Sequence, residues 1–214
     1  MTGHFAGNHG FLSTGQTLRL QRAVLLSFLL VFAVEWASAT APHITSLSVT
    51  TAKVNVTFTI TGTNFGSPQG SGYVTVNGTQ ATSYGTWNAT TIQVKVPLGA
   101  LPTGNVVVTV PGSGSSNGAA FTVPPYISPS GLSLTSGPAQ MGFDINGSSF
   151  GNAKGTSTAN IGAVALTIKS WSNTKIVVQV PAAAATGSVV VTVNANASNG
   201  ENFTVASYSA DCPN

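Results

Sequence analysis

Five side chains downstream of residue 39 could carry acid–base, nucleophilic or metal chemistry: Asp144, Glu201, Asp211, His43 and Cys212. Hydrolysis of a glycosidic bond needs two carboxylates facing one substrate. Asp144 and Glu201 could supply them only if the fold brought them together. A serine–histidine–aspartate relay would have to use His43, near the start of the first apolar stretch. A single thiol makes neither an internal disulfide nor a metal site. The aspartates are too scattered for a calcium site, which takes several oxygens from one neighbourhood. Gly62-Thr63-Asn64-Phe65-Gly66 and Gly147-Ser148-Ser149-Phe150-Gly151 are glycine-rich, but neither carries a lysine nor opens a helical pattern. A phosphate cradle needs both, so these read as glycine-supported bends. We therefore expect no enzyme, no cofactor and no metal.

Two tryptophans remain as binding candidates. Exposed indoles stack on sugar rings, which would make Trp87 and Trp171 glycan-binding residues. The competing reading packs each over the edge of a core. Ile92 and Ile176 follow them at the same five-residue interval, which favours packing.

Charged residues make up 5% of the chain and hydrophobic residues 42%. Low charge with many β-branched residues describes a folded chain rather than a disordered one, and a strand former rather than a helix former. After residue 39 there are five lysines, three carboxylates and no arginine. The formal charge of +3 thus reflects scarce charge and not a basic patch, and nucleic acid is not an expected partner.

Arg19 and Arg22 precede the apolar run Ala23–Val34, and Ala37-Ser38-Ala39 follows. A positive flank, a short apolar core and an A-x-A site form a secretory leader. A spanning helix needs about 20 apolar residues, which favours cleavage after Ala39 over a retained anchor. The stretch before Arg19 is long for a leader. The expectation is a signal peptide over 1–39 and a product outside the cytoplasm, secreted or at the cell surface, with no membrane span in the mature chain.

The remaining chain reads twice. Phe65 matches Phe150, Trp87 matches Trp171, Pro97 matches Pro181, Thr103-Gly104 matches Thr186-Gly187, and Phe121-Thr122-Val123 matches Phe203-Thr204-Val205, at separations of 82 to 85 residues. Five blocks in one order are an internal duplication. His43 has no counterpart, because Tyr126 stands in its place. Period-two alternation marks the strands: Val54, Val56, Phe58 and Ile60; Met141, Phe143 and Ile145; Val106, Val108 and Val110; Val189, Val191 and Val193. Asn77-Gly78 predicts a tight hairpin. Asn199-Gly200, just before Glu201, also reads as a turn. Short strands at this spacing predict an all-β protein of two tandem sandwiches. The expected divisions are 40–123, 124–205 and a tail at 206–214, with Pro124-Pro125 as a short stiff link. Several Asn-x-Ser/Thr triplets, such as Asn55-Val56-Thr57, are expected by chance in so Asn- and Thr-rich a chain.

In each repeat the order is Pro-x-Ile, G-x-x-F-G, W-x-x-x-x-I-x-V-x-V-P, T-G-x-V-x-V and F-T-V. This set resembles the IPT/TIG domain, the immunoglobulin-like domain of plexins, certain transcription factors and bacterial surface proteins. Repeat one carries it from Pro42 to Val123, and repeat two from Pro125 to Val205. The resemblance implies an immunoglobulin-like fold and an interaction role with no catalytic residues. The expected partner is a surface polymer or a protein. A structural or adhesive module is the favoured function, and a carbohydrate-binding module is the alternative.

Overall fold

The computed structural model describes residues 1–3 and 40–207. Residues 4–39 of the expected leader, with Asp211 and Cys212, lie outside the described residues. All regular structure among the described residues is β.

Repeat one runs β1 (His43–Leu47), β2 (Thr57–Thr63), β3 (Tyr73–Val76), β4 (Thr79–Gln80), β5 (Tyr84–Trp87), β6 (Thr91–Lys95), β7 (Thr103–Val110), β8 (Gly114–Ser115) and β9 (Ala119–Thr122). One sheet has the order β1-β2-β6-β5. The other has the order β4-β3-β7-β8, with β9 also paired to β7. Repeat two runs β10 (Tyr126–Leu132), β11 (Ser136–Gly137), β12 (Gly142–Ser148), β13 (Thr158–Ile161), β14 (Val164–Ala165), β15 (Thr167–Trp171), β16 (Lys175–Gln179), β17 (Gly187–Val193), β18 (Asn196–Ala197) and β19 (Glu201–Val205). Its sheets are β10-β12-β16-β15 and β11-β19-β17-β13-β14, with β18 paired to β17.

The registers repeat as the sequence does. Phe58 faces Val94 and Ile60 faces Ile92; Phe143 faces Val178 and Ile145 faces Ile176. The added strand β11 pairs parallel to β19, and repeat one has the same device as a single parallel bridge between Thr51 and Thr122. Each repeat buries its own core between two sheets, as a sandwich must. In both cores a phenylalanine of the strand paired to the first, β2 or β12, stacks on one of the last strand, β9 or β19. Phe58 and Phe121 lie 4.6 Å apart, and Phe143 and Phe203 lie 4.5 Å apart.

The alternation fails at one place in each repeat. Val56 and Met141, expected inside, are exposed. Asn55 and Gln140, the residues before them, adopt φ of 67° in both cases. That left-handed residue turns the chain, and the regular strands begin only at Thr57 and Gly142. Period two applies to extended backbone alone, so the pattern could not see the turn. The Asn77-Gly78 hairpin is present, with φ of 48° and 84° at the two central residues. Strands β6 and β16 stop before Pro97 and Pro181.

Candidate functional site

Each G-x-x-F-G turn is built the same way. A Cβ on Gly62 would overlap the backbone oxygen of His43 and the ring of Phe65; on Gly147 it would overlap that of Tyr126 and the ring of Phe150. Glycine lets the first strand and the aromatic ring close on one point. Asn64 and Ser149 take φ of 61°, and Phe65 and Phe150 turn inward to full burial. Their backbone amides donate to Ala89 and Asn173, each at 3.1 Å.

The tryptophans lock these turns. Trp87 Nε1 donates to the Phe65 carbonyl and Trp171 Nε1 to the Phe150 carbonyl, both at 3.0 Å. Both indoles are half-buried on the edge strands β5 and β15. Trp171 meets Phe150 edge-on at 6.3 Å, while Trp87 meets Tyr84 edge-on at 5.3 Å. The indole N–H is thus engaged internally, and part of each ring faces out.

The titratable groups do not converge. Asp144 on β12 accepts an ion pair from Lys175 Nζ on β16 at 2.7 Å. Glu201 lies on β19 in the opposing sheet, its carboxylate 3.4 Å from Asn199 Nδ2. His43 is exposed on β1. Among the described residues, no group of three His, Cys, Asp or Glu side chains could hold a metal ion. Among the described residues, Tyr84 is the group with a shifted pKa. Burial pushes its hydroxyl above the ordinary tyrosine value, against the opposing effect of the bond from Val74 N. The hydroxyl accepts that bond at 2.9 Å and donates to the Ala81 carbonyl at 2.9 Å.

Two sets of side chains carry structure that the sequence reading missed. Asn117 Oδ1 accepts from Ile44 N at 2.7 Å, and its Nδ2 donates to Ile44 O at 3.0 Å. Asn199 does the same to Ile127, at 2.9 Å both ways. Each amide imitates a strand and ties the first strand of its repeat to the opposite sheet. Asn199-Gly200 is therefore a clasp rather than the turn expected of it. The signal was present as Ser-Asn-Gly at 116–118 and again at 198–200. The second set joins the repeats. Ser148 Oγ accepts from Gly99 N at 2.9 Å, Ser149 Oγ donates to Ala100 O at 2.9 Å, and Asn173 Nδ2 donates to Gly99 O at 2.7 Å. A serine in a glycine-rich turn carries no mark of that role.

Two immunoglobulin-like sandwiches in tandem define the class of this protein. The chain belongs to the IPT/TIG domain family, whose profile matches residues 42–123 and 128–207. No curated protein matches it. Among solved structures it is similar to the surface glycan-binding protein PbSGBP-B from Prevotella bryantii, at 17% identity and a TM-score of 0.45, covering 78% of this chain and 42% of that one. It is also similar to SGBP-B from a complex xyloglucan utilization locus in Bacteroides uniformis, at 20% identity and a TM-score of 0.33, covering 77% and 49%. The extracellular region of plexin A4 matches at 16% identity and a TM-score of 0.34, covering 81% of this chain and 19% of that one. The chain spans less than half the length of each of these proteins. No helix among the described residues is long and apolar enough to cross a membrane.

Proposed function

We propose that the chain works outside the cytoplasm as a non-catalytic structural or adhesive module. The observation that carries this is the outer face of the β2–β6 pair. Thr57 faces Lys95, Thr59 faces Gln93 and Thr61 faces Thr91, while Phe58, Ile60, Ile92 and Val94 fill the core behind them. Such a face offers hydroxyl and amide groups on a rigid frame. It moves no protons near neutral pH, because Thr and Gln do not titrate there. Its expected partner is a surface polymer or a second protein. The export reading adds that the protein recovered from the medium begins at Thr40, which N-terminal sequencing checks.

A second reading is carbohydrate binding through Trp87 and Trp171, supported by their half-open position on edge strands. A glycan array run beside a pull-down from the native cell envelope separates the two. Envelope capture without a glycan hit supports the structural module. A glycan hit lost in Trp87→Ala or Trp171→Ala, with folding intact, supports the second reading. Turnover of any substrate that vanishes in Asp144→Asn or Glu201→Gln would overturn both.

A further inference from the structure

Among the equivalent residues of the two repeats that differ in burial, four pairs trace one interface. Ser148 and Ser149 are fully buried, whereas their counterparts Thr63 and Asn64 are exposed. Ala100 and Val123 are fully buried, whereas their counterparts Ala184 and Val205 are partly open. The buried set is where the Gly147–Gly151 turn of repeat two seats on the Pro97–Pro102 segment of repeat one, with Gly151 against Pro102. The open set consists of the same two surfaces, unmated among the described residues. At the far end of repeat two, Pro138, Ala182, Ala184, Ala185, Val205 and Ala206 line an open groove of about 600 Å³. At the near end of repeat one, the Gly62–Gly66 turn presents Thr63 and Asn64. Threonine keeps the hydroxyl that Ser148 uses, and Asn64 keeps the left-handed backbone of Ser149.

We propose that these two leftover surfaces meet between copies of the chain, the Gly62–Gly66 turn of one molecule seating in the Ala182–Ala185 groove of the next. Such a contact is heterologous: each copy uses a different patch, so association continues head to tail or closes as a ring. It is weaker than the junction within the chain for two reasons. Ala89 replaces Asn173 and removes one hydrogen bond, and no peptide link holds the partners at high effective concentration.

Sedimentation velocity of the purified chain from about 1 to 500 μM, with dithiothreitol to silence Cys212, tests this. Wild type should gain mass with concentration. Thr63→Asp and Ala185→Asp, both at exposed sites, should each stay monomeric with unchanged melting. Their equimolar mixture should form a dimer and stop, because each variant keeps one intact surface. Three results overturn the proposal: a wild-type monomer throughout the range, association that survives both substitutions, or association that appears only when residues 208–214 are deleted. The last would mean that the tail fills the groove.

Discussion

Thr63 and Ser148 hold the same place, at the end of the strands β2 and β12 that pair with the first strand of each repeat, and Ala89 and Asn173 the same place in the loop beside it. In repeat one these residues are exposed among the described residues; in repeat two they bind the backbone of repeat one. The clasp, the indole lock and the stacked phenylalanine pair are meanwhile the same in both copies. What folds a sandwich is common to the two copies, and what joins the sandwiches differs between them by a few atoms. A buried hydroxyl must find a partner, and the Gly99–Ala100 backbone supplies it.

The largest test of this division is Phe65→Ala against Phe150→Ala. Each should cost its repeat about 3–5 kcal/mol, the usual cost of emptying a buried phenylalanine site. Calorimetry of the two variants should separate them further. The Phe65 change should lower one transition only, while the Phe150 change, next to Ser149, should also loosen the junction. Equal effects on both transitions from Phe65→Ala would show that the cores are not independent.

Asn117→Ala and Asn199→Ala come next. Each leaves a buried isoleucine amide and carbonyl without partners, at a cost of about 1–3 kcal/mol. Denaturant melts should show matched losses in the two repeats, and an unequal pair would break the equivalence of the clasps.

Smaller effects probe the differences. Ser148→Ala should cost about 1 kcal/mol in coupling between the repeats, and Thr63→Ala close to nothing. The readout is the gap between the two melting transitions, which should widen only in the first variant. Tyr84 adds a pH signature that repeat two lacks, since Ile168 stands at its position. The hydroxyl's pKa is raised in the fold, so the unfolded chain releases this proton first as pH rises. Stability from Tyr84 is therefore complete below the ordinary tyrosine range, about pH 10, and is lost above it. Repeat one should soften in mild alkali, and Tyr84→Phe should remove that Tyr84 component at some cost in neutral stability. A wild-type melt that does not change between pH 9 and 11 would remove the distinction.

The sequence by itself determined the two sandwiches. Alternating Phe58 and Ile60, Phe143 and Ile145, the Asn77-Gly78 hairpin and the strand-ending prolines are local rules, each legible within a few residues. It also announced the paired turns, because Gly62 and Gly147 recur with their phenylalanines. The tertiary structure alone decided where those patterns stop, as at Val56 and Met141, where one left-handed residue ends the alternation. It decided that the Trp87 and Trp171 N–H groups point to phenylalanine carbonyls, and that Asn117 and Asn199 act as strands. It also decided that Ser148, Ser149 and Asn173 form a joint while Thr63, Asn64 and Ala89 do not. Serine, threonine and asparagine are equally at home on a wet surface and in a satisfied buried bond. Only the position of the opposing backbone distinguishes the two, and that position is set by contacts some fifty to seventy residues away.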